Sequence, residues 1–182
     1  MEREGVRIEC IVGDIAGQSD IDGVVNAANA QLRPGGGVAG AIHRAAGPEL
    51  DAECRPLAPI SPGEAVITGA GKLPNRYVIH CLGPIYGVDK PEAELLASCY
   101  RNALERAEEK GLRSIAFPAI STGVFGYPLE DAAYVAFTTI KSLLAGLQSL
   151  KLIRFVLYSS SDRDVHEHVM SEVFSENSQD SR

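Results

Sequence analysis

The chain has 182 residues, 45% of them hydrophobic, and a formal net charge of −7. One domain of that size buries roughly two thirds of its unfolded surface; no apolar run approaches the ~20 residues of a membrane span, and the acidic balance argues against contact with duplex nucleic acid. MEREGVRIEC lacks the basic head and apolar stretch of a signal peptide, so the expected compartment is the cytoplasm.

The first predicted strand, VRIECIV (6–12), runs into Gly13-Asp14-Ile15. Asp14 there either caps the next turn or offers a carboxylate to the amino group of a base. GVVNAA (23–28) is the second strand. Asn26 and Asn29, near its end, either bond to their own backbone or present carboxamides to sugar hydroxyls. PGGGVAG follows and opens a helix predicted over 38–53. Strands EAVITGA (64–70) and RYVIHCL (76–82) come next, His80 reading as a hydrogen-bonded structural histidine. A helix is predicted over 91–110, with Pro91 in its first turn, Leu95, Leu96, Cys99, Ala103, Leu104 and Ala107 at helical spacing, and Gly111 as its stop. SIAFPAI (114–120) leads into STGVFG (121–126), and a helix is predicted over 129–146. LIRFVLYS (152–159) brings Tyr158 to a strand end. A charged helix over 163–174, with His166 and His168 expected in solvent, precedes a polar tail, SENSQDSR, at 175–182.

Strands alternating with helices predict a single α/β domain over 1–174: a three-layer α/β/α sandwich with a mixed, mostly parallel central sheet of about six strands. Several strands are apolar almost throughout, as strands covered on both faces are. Ligands in such folds bind where strands end and helices begin. Two glycine-bearing junctions lie there, 34–38 and 121–126. A helix N-terminus exposes unpaired N–H groups that hold phosphate without Lys or Arg, and glycine lets the phosphate approach. Either loop alone is also an ordinary tight turn; two together fit a diphosphate. ITGAGKL fails the P-loop pattern at Val66 and Leu73, and no G-x-G-x-x-G follows the first strand. Cys10, Cys54, Cys81 and Cys99 are far apart, read as buried reduced thiols rather than metal ligands, so no metal or cofactor is expected.

GDI (13–15), VVNAAN (24–29), GGGVAGAIHRAAGP (35–48), YVIHCLGPIY (77–86) and FPAISTGVFGYP (117–128) together resemble a macrodomain, the ADP-ribose-binding fold, over about residues 6 to 174 and closest to its bacterial, MacroD-type branch. The resemblance implies that Asp14 accepts the adenine amino group, Ile15 offers backbone to the ring and Tyr158 flanks it. Gly35, Gly36, Gly37 and Val38 are implied to line the pyrophosphate and distal ribose, with Asn26 and Asn29 on the ligand side. Ser121, Thr122, Gly123, Val124, Phe125 and Gly126 would form the second diphosphate loop. Asn29 and Phe125 are implied as the catalytic residues at the distal ribose.

One departure bears on chemistry. Many MacroD-type hydrolases read GGGVDG, whereas this chain carries Ala39, whose methyl cannot take a proton or orient water. Viral macrodomains with alanine there still remove ADP-ribose, which implies water held by a ligand phosphate and the sugar held by Asn29. The expectation is therefore a slow hydrolase acting on mono-ADP-ribosylated acidic side chains or on O-acetyl-ADP-ribose, with a non-catalytic ADP-ribose reader as the alternative. The expected partners are ADP-ribose and its conjugates, mono-ADP-ribosylated proteins included, without membrane contact, on a monomer. His43 reads as packing away from the cleft. A serine hydrolase, with Ser121 in AISTG followed by Asp162 or Asp164 and His166, is the remaining rival; Ala119 stands against it where the nucleophile elbow needs glycine.

Overall fold

The apolar runs fold as strands and the segments between them as helices in the computed structural model, which describes residues 1–175. In chain order the strands are β1 (Glu2–Arg3), β2 (Val6–Val12), β3 (Gly23–Ala27), β4 (Ala65–Gly69), β5 (Tyr77–Cys81), β6 (Ser114–Phe117) and β7 (Leu152–Leu157). The helices are α1 (Gly37–Ala46), α2 (Pro48–Cys54), α3 (Glu92–Glu109), α4 (Leu129–Leu143) and α5 (Ser160–Ser175). The sheet has seven strands in the order β1-β2-β7-β6-β3-β5-β4. Its inner five run parallel, while β1 and β4 pair antiparallel at the two edges.

The seventh strand, β1, went unseen because it is two residues long; Glu4 (φ 51°) and Gly5 (φ 75°) turn it back onto β2 as a two-residue hairpin does. The helix expected over 38–53 is two helices. Gly47, at φ 82°, ends α1, and Pro48 opens α2, the usual order of stop and start signals. Pro91 precedes α3 rather than lying in its first turn. The last helix starts at Ser160, three residues early, because Ser159 Oγ accepts the Asp162 N–H at 3.2 Å. That helix is described as far as Ser175; the rest of the expected tail lies outside the described residues.

Helices α3, α4 and α5 cover one face of the sheet. Phe155 on β7 sits at the centre of that layer, its ring 4.8 Å from Phe137, 5.5 Å from Phe117 and 6.0 Å from Tyr100. Helices α1 and α2, with the turn Ile15–Gly17, cover the other face over Ile21, Val24, Leu32, Val78 and Val156. Because β7 is buried on both sides, only Arg154 breaks its apolar run. Its guanidinium grips Glu9 at 2.8 Å, both Asp20 oxygens at 2.8 Å and Gln18 Oε1 at 2.9 Å. These ties hold the segment after β2 against the sheet. Among the described residues, no helix is long and apolar enough to cross a membrane.

Candidate functional site

After β3 the chain is pinned by Ala28 N–H donating to Cys81 O at 2.9 Å. Asn29 then staples the next turn: its Oδ1 accepts Arg33 N–H at 3.0 Å and its Nδ2 donates to Arg33 O at 2.8 Å. Leu32, held at φ 55° and 1% exposed, anchors that turn in the core. The chain re-emerges as Pro34–Gly36 and enters α1 with Gly36 as an N-cap that has no side chain to give. Among the described residues, the N–H groups of Gly36, Gly37, Val38 and Ala39 therefore meet no acceptor.

The glycines here divide into two kinds. A Cβ at Gly40 would lie 2.3 Å from Gly35 O, so the fold itself demands a bare backbone there. Gly36 is different: its φ is −86° and nothing lies within 4 Å of where its Cβ would be. Neither packing nor backbone conformation requires glycine at position 36.

The STGVFG loop is a nest of turns. Ser121 takes φ 69°, Thr122 Oγ1 donates to Ala119 O at 2.7 Å, Gly126 N–H to Gly123 O at 3.0 Å, and Tyr127 N–H to Ser121 O at 2.9 Å. The N–H groups of Gly123, Val124 and Phe125 find no acceptor among the described residues, and a Cβ at Gly123 would stand in open space. Gly83, after β5, lets the loop settle: a Cβ there would come within 2.1 Å of Ser121 Oγ and 2.6 Å of Ile120 Cγ2.

These two loops face one cleft of about 430 Å³, whose lining includes Asn29, Gly35 to Ala39, Ser121 and Gly123 to Phe125. Ala27, Ala28, Ala119 and Ile120 give it an apolar floor. Its size and its few convergent polar groups suit a small-molecule site. The unpaired groups that face it are neutral amides.

Asp14, Ile15 and Tyr158 do not line the cleft; they stand at the neighbouring strand ends. Gly13 N–H donates to Leu157 O at 3.1 Å, carrying the β2–β7 pairing up to Asp14 and Tyr158. Asp14 caps the turn Ile15–Gly17 through Ala16 N–H at 2.9 Å, and that turn packs on α1. Gln18, itself held by Arg154, donates to Asp14 O at 2.8 Å. Tyr158 is 94% exposed. Thr122 and Gly126 shape the loop rather than face the cavity.

The Macro domain family model matches residues 25–136. The chain is 46% identical over 171 residues to a Klebsiella pneumoniae protein named O-acetyl-ADP-ribose deacetylase, covering 91% of this chain and 97% of that one. The chain belongs to the Macro domain family. Its fold superposes with a TM-score of 0.91 on an Oceanobacillus iheyensis macrodomain solved with ADP, at 40% identity, covering 97% of this chain and 96% of that one. A Trypanosoma brucei macrodomain solved in complex with ADP-ribose matches at a TM-score of 0.80 and 38% identity, covering 88% of this chain and 65% of that one.

Not every residue expected at the ligand lines the cleft in this macrodomain. Asn26 is 1% exposed within β3, where Nδ2 donates to His80 Nδ1 at 3.1 Å. The register that pairs Asn26 with His80 on β5 turns its carboxamide into the sheet's interior, away from the cleft. His80 then carries its proton on Nε2, toward Thr68 Oγ1 at 2.9 Å, and Thr68 passes its own to Gly69 O at 2.8 Å. Burial lowers the His80 pKa to about 3, holding the ring neutral. Asn26 Oδ1 alone in this node has no partner.

His166, expected in solvent, is 1% exposed; its Nδ1 bonds Asp162 O at 3.0 Å and its ring lies 5.7 Å from that of Phe155 under α5. Ser121 Oγ is buried in the cleft wall without any partner. The two do not meet, so no serine-hydrolase triad forms. His168 is exposed and lies 3.1 Å from Glu172. All four thiols are buried and free; burial pushes Cys10 and Cys99 up to about 12 and Cys54 to about 11.

Sequence reading missed Gly83, Ile120 and the alanine floor. Gly83 carried a signal, a glycine at a strand end inside YVIHCLGPIY; the alanines carried none, because their role is only to be small. Ala39 lines the cleft at 5% exposure and brings no proton acceptor to it.

Proposed function

We propose that this macrodomain binds ADP-ribose in the cleft and hydrolyses its ester conjugates, namely O-acetyl-ADP-ribose and ADP-ribose carried on acidic side chains. The support is the bare backbone: two rows of unpaired amides line one cavity, on glycines at 36 and 123 that the fold does not need. A pyrophosphate between them would be held by Gly36 to Ala39 on one side and Gly123 to Phe125 on the other. Adenine would then lie toward Asp14, Ile15 and Tyr158. The distal ribose would sit by Asn29, whose Nδ2 keeps a second hydrogen beyond the one given to Arg33, with Phe125 packing alongside.

In the acetyl ester, water adds to the acyl carbon and the carbon–oxygen bond to ribose breaks. The ribose oxygen takes up a proton and acetate departs. With Ala39 in place of a carboxylate, the chain offers no base at the loop, so water is oriented by a ligand phosphate and the rate derives from positioning, worth up to roughly 7–11 kcal/mol in favourable cases. Asn29 acts as a positioning residue for the sugar. The four free thiols fit a reducing cytoplasm, and residues 1–174 would act as one domain and as a monomer.

Ala39 also favours a second reading, a reader that binds without turnover. The test is release of ADP-ribose from O-acetyl-ADP-ribose and from a mono-ADP-ribosylated acidic peptide at high enzyme concentration. The hydrolase gives release above buffer, and Asn29→Ala lowers kcat more than it weakens ADP-ribose binding. Binding without release from either substrate gives the reader.

A further inference from the structure

A second recess lies directly behind the glycine loop. About 540 Å³ in volume, it is lined by Pro34, Gly35, Gly40, His43, Arg44 and Asp51, with Gly47 and Pro48 closing its end. Gly35 lines both this recess and the cleft, so the two cavities share one exposed rim at Pro34–Gly36.

Its chemistry differs from that of the cleft. His43, at 6% exposure, lines the recess, and neither ring nitrogen has a protein partner; a buried polar group left so carries an unmet desolvation cost. Burial holds the His43 pKa below its ordinary value. Arg44 Nη1 folds back to within 2.9 Å of the place a Cβ would take on Gly40, beside the Gly35 carbonyl, and makes no ion pair among the described residues. Asp51 is the one carboxylate in the lining. It is already shared between Arg33 Nε at 3.0 Å and Arg55 Nη2 at 2.9 Å. Two arginines thus already hold the one carboxylate in the lining, and Arg44 lines the same recess without an ion-pair partner among the described residues, on a chain whose net charge is −7.

Resting on the proposed hydrolase reading, we propose that this recess receives an acidic stretch of the polypeptide that carries the ADP-ribose. The distal ribose, held by Asn29 and Gly35, places its ester at the shared rim. The peptide beyond the ester crosses Pro34–Gly36 and lays its flanking carboxylates against Arg44, with Arg33 and Arg55 adding to the attraction. The small acetyl ester ends before the rim and does not reach the recess. Substrate choice among modified proteins is therefore set outside the nucleotide cleft, by the charge of the residues flanking the modified side chain.

The experiment compares three substrates: O-acetyl-ADP-ribose, a Glu-linked ADP-ribosyl peptide with acidic flanks, and the same peptide with neutral flanks. The wild-type chain is expected to show a KM about tenfold lower for the acidic than for the neutral peptide at equal kcat. Arg44→Glu should abolish that preference, Arg44→Ala should reduce it, and neither should change KM or kcat for O-acetyl-ADP-ribose. Equal KM values for both peptides in the wild type, or an Arg44→Glu effect of the same size on all three substrates, overturns the proposal. If no substrate is turned over, the hydrolase reading fails on its own, and the recess is judged by whether the acidic peptide conjugate binds more tightly than free ADP-ribose and loses that gain in Arg44→Glu. Competition by a single-stranded oligonucleotide but not by an unmodified acidic peptide would assign the recess to nucleic acid and also overturn it.

Discussion

Three residues apart on one chain, Asn26 and Asn29 serve opposite ends. Asn26 belongs to a buried node under β3 and β5, where Asn26, His80 and Thr68 donate in sequence and the last proton reaches a backbone carbonyl. Asn29 belongs to the cleft, where the protein closes its own turns but leaves two rows of amides unpaired at the surface. A polar group paired inside the sheet serves the fold. An amide left open on a glycine that neither packing nor φ demands serves something outside the fold. Substitutions in the node should therefore move stability and spare binding, and substitutions in the cleft should do the reverse.

The largest effect is expected from Gly36→Val. Open space and an ordinary φ let the side chain fit, so unfolding free energy should shift by no more than about 0.5 kcal/mol. The added carbons block the amides, and ADP-ribose affinity measured by calorimetry should fall about 100-fold, roughly 2.7 kcal/mol. A large loss of stability, or an unchanged affinity, breaks the comparison. Asp14→Ala comes next: losing a hydrogen bond to a charged group should weaken ADP-ribose binding by roughly 1.5–3 kcal/mol, with a smaller drop in melting temperature from the lost turn cap. In the node, Asn26→Ala strands His80 Nδ1 and should cost roughly 1–3 kcal/mol in denaturant unfolding, while ADP-ribose affinity stays within error.

The node also predicts a pH slope. His80 has its folded pKa lowered to about 3 by burial, against about 6.5 when unfolded. Between those values the unfolded chain binds the extra proton, so stability is whole above about 6.5 and declines as the pH falls toward 3. This one group contributes at most about 1.4 kcal/mol per pH unit. Denaturant midpoints across that range should show the decline, and His80→Gln should flatten it; an unchanged slope in the variant would remove His80 from the node's accounting.

Much of this was legible in the amino-acid order. Strands such as SIAFPAI and LIRFVLYS announce themselves because burial on both faces leaves no polar alternation, and the two glycine loops announce the cleft because bare backbone has few other uses. What was illegible depends on partners distant in sequence. Nothing near Asn26 reveals that β5 brings His80 beside it, 54 residues away. Gly47-Pro48 carries the ordinary signal of a helix boundary, inside an apolar pattern that continues across it. His166 was readable too: it precedes Val169, Met170, Val173 and Phe174 on the stripe that α5 buries, but the charges around it pointed toward water. Tyr158 and Asp14 stand at the strand ends where expected, though the cleft walls themselves are built of residues too small to draw notice.

The central claim is that neutral main-chain amides, rather than cationic side chains, grip a pyrophosphate across the cleft. Its most direct test is a calorimetric titration of the wild-type chain with ADP-ribose at about 0.05 M and about 0.5 M salt. Neutral amides present no cationic side chain for salt to screen, so the account predicts clear heat and a Kd that changes by less than about threefold. No heat at millimolar ADP-ribose, or an affinity that collapses with added salt, would contradict it.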